Sequence, residues 1–318
     1  MADKPDVLLT APVAYEGTMR RLDEVFALHR YWEAADQPAL IRRLAPVCRA
    51  VATPGAVAVA PEILAGLPKL GIVGCFGVGY DAVDVAACTA RGIAVTNTPD
   101  VLTDEVADLA LGLLLAVARR IVKGDRYVRA GHWVDKGNMA MTPSLTLGKK
   151  AGIVGLGRIG KAIARRLNAF GVEVSYFGRH RQSDVQFRYY GDLMAMARDV
   201  EFLILSCPGG AATRHIVDAG VLQALGPKGI LVNVARGTVV DDDALIAALK
   251  NGTVGGAALD VFVDEPRVPA GYLEIEENLV LQPHHASATH ETRGAMGQMM
   301  IDNILAFLAG KPLLSRVN

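Results

Sequence analysis

Residues 149–167 read KKAGIVGLGRIGKAIARRL and carry the first recognisable chemistry in the chain. Gly155, Gly157 and Gly160 stand in the spacing G-x-G-x-x-G. An apolar run at 151–154 precedes them, and Ile159, Ile163, Ala164 and Leu167 follow at three- and four-residue steps. That change of period marks a strand, a tight turn and a helix. The first glycine permits the turn, the second lets the backbone approach a pyrophosphate, and the third lets the helix pack on the strand. The helix N-terminus then presents N–H groups and a positive dipole end to the anion. A chain with 33 glycines can produce this spacing by accident. The strand before it and the helix after it are the context the motif requires, and they favour dinucleotide binding over a chance loop.

The end of the next strand selects the dinucleotide. NAD-binding turns of this kind are followed, about 20 residues on, by an acidic residue for the ribose 2′-hydroxyl. Here the strand ends Tyr176-Phe177-Gly178-Arg179-His180-Arg181, and Glu173 comes too early. A carboxylate would repel a 2′-phosphate, whereas guanidinium groups bind one with paired hydrogen bonds. Arg179 and Arg181 therefore predict NADPH (NADP) as the preferred cofactor, with NADH possible. A merely solvated turn accounts for the arginines but not for the missing acid.

These residues need a scaffold, and the flanking pattern supplies one. Strands are predicted at 6–10, 50–53, 56–59, 70–75 and 93–96, with helices at 15–27 and 83–91. A second series has strands at 151–154, 172–177, 202–205, 230–233, 256–259 and 279–281, six in all, the number of the dinucleotide fold. Alternating strands and helices imply parallel sheets covered on both faces. One long helix is predicted over 100–122 and another over 288–309, while 127–147 reads as irregular chain that either returns over the surface or wraps onto a partner subunit. The last helix has no sheet of its own to follow and is expected to return to the N-terminal domain.

Composition narrows the class. At 318 residues the chain suits about two domains. Apolar residues make up 51%, and the formal net charge is zero. Such a balance gives no reason to expect nucleic acid or an anionic membrane as partner. Cys48, Cys75, Cys88 and Cys207 are scattered without CxxC spacing and read as buried thiols in a reducing compartment. Neither a signal peptide nor an apolar run of about 18 residues is recognisable, so the expected location is cytoplasmic.

The motifs together resemble the D-isomer-specific 2-hydroxyacid dehydrogenases, and within them the NADPH-preferring glyoxylate/hydroxypyruvate reductases. The resemblance spans nearly the whole chain. It rests on GVGYDAVD (77–84), NTPDVLTDEVADLALGLLLAVAR (97–119), GIVGLGRIGKAIA (152–164), VNVARGTVVDDDAL (232–245), ALDVFVDEP (258–266) and PHHASAT (283–289). It implies an α/β protein of two doubly wound parallel-sheet domains with the active site in the cleft between them. A Rossmann nucleotide-binding domain at 99–285 would be inserted into a flavodoxin-like substrate domain formed by 1–98 and 286–318. It also implies catalytic residues Arg236, Glu265 and His284, and substrate carboxylate binding by the amides of Val78 and Gly79. The cofactor set expected on this basis comprises Gly155, Gly157, Arg158, Ile159, Gly160, Arg179, Arg181, Cys207, Pro208, Thr213, Val234, Ala235, Asp260 and His284, with Asp260 facing the nicotinamide carboxamide. His285 and Ala286 depart from the family's usual PHIGSAT. The family is usually dimeric, so a homodimer is expected.

Reduction of a 2-oxo acid requires that the carboxylate be fixed, the carbonyl polarised and a proton delivered. Arg236 has the planar fork for the first two tasks. His284, at the end of a strand, is of the side-chain type that exchanges protons near neutrality, with His285 its competitor. Glu265 would orient the imidazole and stabilise its charged form. The expected reaction is NADPH-dependent reduction of small 2-oxo acids such as glyoxylate and hydroxypyruvate to glycolate and D-glycerate. The alternatives are an NADH-linked dehydrogenase of broader range and a dimeric nucleotide-sensing corepressor on the same fold. His284, His285 and His290 match no metal-ligand spacing, so no metal is predicted. Small residues Ala52, Gly55 and Gly74 are expected to leave room for substrates larger than glyoxylate, with Trp133, Met139 and Met141 as further candidate walls.

Overall fold

The computed structural model describes residues 4–144 and 148–318. The N-terminal part alternates: β1 (Asp6–Leu9), α1 (Glu16–Val25), β2 (Ala27–Arg30), α2 (Gln37–Leu44), β3 (Ala50–Pro54), α3 (Pro61–Gly66), β4 (Ile72–Phe76), α4 (Val85–Ala90) and β5 (Ala94–Thr96). Of these, β2, α2 and α3 are additions to the predicted elements. Three helices follow, α5 (Thr103–Ala118), α6 (Ile121–Arg129) and α7 (His132–Lys136). The second series is β6 (Lys150–Val154), α8 (Arg158–Ala169), β7 (Glu173–Phe177), β8 (Arg188–Tyr190), α9 (Leu193–Asp199), β9 (Phe202–Leu205), α10 (Ala219–Leu225), β10 (Ile230–Asn233), α11 (Asp242–Asn251), β11 (Gly256–Leu259), α12 (Ala270–Leu273) and β12 (Leu279–Leu281). Helix α13 (His290–Leu308) ends the regular structure.

The chain forms two compact units, Met1–Leu102 with Ser287–Asn318, and Thr103–Ala286. The first holds a five-stranded parallel sheet in the order β2-β1-β3-β4-β5, which is the flavodoxin-like order. Alternate strand residues Leu8, Val51, Val73 and Val95 fill one core beneath α2, α3 and α4. Helix α13 lies against β4 and α1. Asn318 ties the chain end to β5, its Oδ1 accepting from Val95 N at 2.8 Å and its Nδ2 donating to Ile93 O at 2.9 Å.

The second unit holds seven parallel strands in the order β12-β11-β10-β9-β6-β7-β8. Its strands β8-β7-β6-β9-β10-β11 reproduce the dinucleotide order, and β12 extends it. The six-strand expectation thus falls one short. β8 has only three residues at the sheet edge, graded from exposed to buried, so no period is visible in its sequence. The run at 56–59 is not a strand, because the chain turns there into α3. The single helix expected over 100–122 is two helices. Arg120 adopts the left-handed conformation at φ 52° and separates α5 from α6, which no glycine or proline announces. The supposedly irregular 127–147 contains the end of α6 and all of α7, while 145–147 lie outside the described residues. Asp104 and Asp108 of α5 bind Arg166 of α8 at 3.1 and 2.6 Å, so these two carboxylates join helices. Among the described residues no helix is long and apolar enough to cross a membrane.

Candidate active site and cofactor site

The glycine turn leaves β6 at the point where chain order reverses between β6 and β9, the position at which doubly wound sheets bind ligands. Gly155 has φ 92°, and a Cβ there would stand 2.7 Å from Cys207 Cα. A Cβ on Gly160 would stand 2.3 Å from Gly155 O. By contrast, a Cβ on Gly157 would meet nothing within 4 Å, so this residue opens onto free space. Ser206 Oγ donates to Gly155 O at 2.8 Å and fixes the turn to the end of β9. Gly157 caps α8 without a side-chain hydrogen bond. The positive dipole end of the helix and the open space at Gly157 fit the pyrophosphate of a dinucleotide. Cys207 is 8% exposed, and burial pushes its thiol up to about 11. It serves as an apolar wall of the turn, not as a nucleophile. Thr213 Oγ1 donates to Pro208 O at 2.7 Å, bracing the loop that follows Cys207.

The arginine loop follows β7. Arg179 and Arg181 are exposed, and neither pairs with a carboxylate among the described residues. Gln182, which the sequence did not single out, latches this loop. Its Nε2 donates to Leu156 O at 2.8 Å, and its backbone N donates to Tyr176 Oη at 2.7 Å. Gln182 therefore ties the loop that carries the two arginines to the glycine turn.

The other predicted residues follow the ends of three neighbouring strands, β10, β11 and β12. After β10, the buried Asn233 braces the loop that carries Val234, Ala235 and Arg236. Its Oδ1 accepts from Ala235 N at 3.0 Å, and its Nδ2 donates to Arg236 O at 3.0 Å. Arg236 is half-buried, and its Nη1 donates to Ala235 O at 2.8 Å. Gly237 sets the next spacing. A Cβ there would lie 2.0 Å from the carbonyl carbon of Phe262 and 2.3 Å from Val263 N. Only a glycine lets the Arg236 loop abut the loop that carries Glu265.

Glu265 uses both oxygens. Oε1 accepts from Phe262 N at 3.0 Å, and Oε2 lies 2.7 Å from His284 Nδ1. Burial works to raise the Glu265 carboxyl, but the His284 hydrogen bond, the Phe262 N–H and the charge of Arg236 outweigh it and hold it below the ordinary carboxylate range. An ionised carboxylate only accepts, so Nδ1 carries the proton of this bond and Nε2 is the nitrogen left for other partners. Among the described residues His285 makes no such pair with a carboxylate.

Asp260 stands behind this turn, 1% exposed. Its Oδ1 accepts from His285 N at 2.7 Å and its Oδ2 from Ala286 N at 3.0 Å, while its own carbonyl accepts from His284 N at 2.8 Å. These bonds hold His284 at φ 51°, a left-handed conformation. Burial raises the Asp260 carboxyl, and the two amides work against that rise.

In the first unit, the loop after β4 carries Val78 and Gly79. Asn97 Nδ2 donates to Val78 O at 2.9 Å, and Thr98 exchanges hydrogen bonds with Gly77 at 2.9 and 3.1 Å. Among the described residues the N–H groups of Val78 and Gly79 have no partner. The expectation that Ala52, Gly55 and Gly74 leave substrate room is not met. A Cβ on Gly55 would lie 2.1 Å from Gly79 O, Gly74 faces Ile304 and Met300, and Ala52 is fully buried in the sheet. Backbone and helix side chains already fill that space.

Residues 111–286 match the family model described as D-isomer specific 2-hydroxyacid dehydrogenase, NAD binding domain. The chain belongs to the D-isomer-specific 2-hydroxyacid dehydrogenases. It is an NAD(P)-dependent enzyme of that family, and its two parallel sheets are the family's two-domain fold. This dehydrogenase is 45% identical to the hydroxyphenylpyruvate reductase of Plectranthus scutellarioides, over 94% of both chains. It is also 45% identical to glyoxylate/hydroxypyruvate reductase A of Arabidopsis thaliana, over 93% of this chain and 94% of that one. Among solved structures it resembles the NADPH-dependent glyoxylate/hydroxypyruvate reductase of Sinorhizobium meliloti in complex with NADP and malonate. That likeness has a TM-score of 0.92 and 44% identity, over 99% of this chain and 97% of that one.

Proposed function

We propose that this dehydrogenase reduces small 2-oxo acids, glyoxylate and hydroxypyruvate foremost, to glycolate and D-glycerate with NADPH. The observation that carries the reading is the 2.7 Å His284–Glu265 pair, with the half-buried Arg236 in the loop that abuts the Glu265 loop. The likeness to glyoxylate/hydroxypyruvate reductases supports the substrate class. When bound, the nicotinamide supplies the hydride. Arg236 holds the substrate carboxylate and carbonyl oxygen through its fork. The Val78 and Gly79 amides take the carboxylate as well. His284 Nε2 delivers a proton to the carbonyl oxygen as the hydroxyl forms, and Glu265 fixes the tautomer and stabilises the imidazolium. Hydride and proton together complete the reduction of one C=O bond.

NADPH is preferred because two exposed arginines, unpaired with carboxylates among the described residues, stand on a loop latched to the glycine turn. Arg179→Ala should raise KM for NADPH by roughly 10- to 100-fold, the loss of a charge-assisted pair. KM for NADH should stay nearly unchanged. Initial rates with both cofactors, on a panel of glyoxylate, hydroxypyruvate, pyruvate and phenylpyruvate, test cofactor and substrate together. Equal effects on the two cofactors remove the 2′-phosphate role, and absence of turnover on the whole panel moves the substrate outside these four acids. The 45% identity to a hydroxyphenylpyruvate reductase gives a second reading, a preference for the aromatic member of the panel.

The pH dependence follows from Glu265. Its carboxyl lies below its ordinary value, so its contribution to stability is present above that ordinary value and is lost as pH falls through the lowered one. Glu265→Gln should therefore melt below the wild type at pH 7, with the gap closing under about pH 4. Its turnover should fall roughly 100-fold, short of the loss expected when the acid itself is removed. Thermal melts across pH and steady-state rates check both statements.

The second unit exposes Ile121, Val128, Trp133, Val134 and Met141, at 55%, 56%, 60%, 90% and 97%. So much apolar surface within one short segment suits burial against a second copy. A homodimer through 121–141 is our reading. Trp133→Glu with Val134→Asp should shift the mass in solution from dimer to monomer, and a dimer that survives both changes places the interface elsewhere.

A further inference from the structure

The first unit carries a cavity of about 530 Å³ at the end of β4 opposite the Val78–Gly79 loop. Arg49, Gly71, Ala94, Phe307, Lys311 and Arg316 line it, and no carboxylate does. Each cation sits on a separate, fixed piece of chain. Arg49 immediately precedes β3, and its guanidinium carbon lies 5.3 Å from the centroid of Phe307. That ring lies so close to the backbone that a Cβ on Gly71 would stand 2.1 Å from it, which makes the ring a fixed floor. Lys311 follows the end of α13, where its N–H donates to Ala306 O at 2.8 Å. Arg316 is held by a backbone bridge to Thr96, with Val317 N bonded to Val95 O at 2.9 Å.

None of the three cations pairs with a carboxylate among the described residues. The simplest explanation is that they answer the C-terminal dipole of α13. That dipole end is equivalent to only about half a negative charge, which leaves a surplus of roughly 2.5 positive charges around one cavity. The chain as a whole has no net charge, so a general excess of bases does not explain the cluster. Like charges gathered on fixed supports repel, and an anion of two or more charges would offset the repulsion. Two guanidinium forks and one ammonium among the lining residues suit a multivalent oxyanion such as a phosphate.

We propose that this cavity is a second ligand site, taking a small multivalent phosphate-type anion and distinct from the cofactor site. The glycine turn would itself bind such an anion, so the test uses enzyme saturated with NADPH. Isothermal titration with pyrophosphate at about 0.1 M ionic strength, where surface attraction is largely screened, should show one site per chain. Arg49→Gln and Arg316→Gln should each weaken it on the order of tenfold, the effect of one charge-assisted hydrogen bond, and together by more. Glyoxylate turnover without pyrophosphate should stay at the wild-type level in both variants. If Arg49→Gln destabilises the fold by losing its seat on Phe307, Lys311→Gln carries the same test. No binding to the NADPH-saturated enzyme, or unchanged affinity in the Arg316→Gln and Lys311→Gln variants, overturns the proposal.

Discussion

His284→Asn should lower kcat for glyoxylate reduction on the order of 10²- to 10⁴-fold, the range expected for loss of a positioned proton donor. Asparagine is the informative replacement. The backbone at His284 is left-handed, and asparagine tolerates that conformation where alanine would add strain. The turn should therefore keep its backbone bonds to Asp260, and thermal melts of the variant should match the wild type. A variant that keeps wild-type kcat moves the donor away from His284.

Arg236→Lys keeps the charge and removes the fork. If Arg236 holds carboxylate and carbonyl together, kcat/KM for the 2-oxo acid should fall on the order of 10²- to 10³-fold, the loss of one or two charge-assisted hydrogen bonds. The loss should divide between KM and kcat, because the carboxylate is bound in the ground state and the carbonyl oxygen gains charge only as reduction proceeds. A fall in KM affinity alone assigns Arg236 to substrate capture without polarisation. The lysine variant keeps the charge that helps depress the Glu265 carboxyl, so its melts on the acid side should follow the wild type while turnover falls.

Much of this site is legible in the sequence because its demands are local. Gly155 must take a positive φ and Gly160 must admit a carbonyl, so the glycine spacing follows from the turn itself. Arg179 and Arg181 stand where an acid is expected, and the departure is visible by counting. The remaining features depend on residues distant in the chain. Gly237 is one more glycine until the Phe262–Val263 backbone is set against it. Gln182 is an unremarkable polar residue until its amide meets Leu156 O. Asp260 reads as a cofactor contact, whereas its two oxygens also anchor the amides that follow His284. The break at Arg120 has no local signal at all, and β8 is too short to show a period. Glycines at 55 and 74 read as spare volume in one dimension and prove to be filled in three.

The interrupted course of the first unit bears on how the molecule is made. Thr103–Ala286 is continuous, so every strand of its sheet and all of Arg236, Glu265 and His284 leave the ribosome in an uninterrupted stretch. The first unit waits. Its five strands are synthesised before the second unit, whereas α13 and the Asn318 anchor on β5 are synthesised after it. Contacts closed over so long an intervening chain form slowly, because loop closure must precede any gain from packing. The second unit can therefore fold during synthesis while the sheet of the first still lacks its covering helix α13.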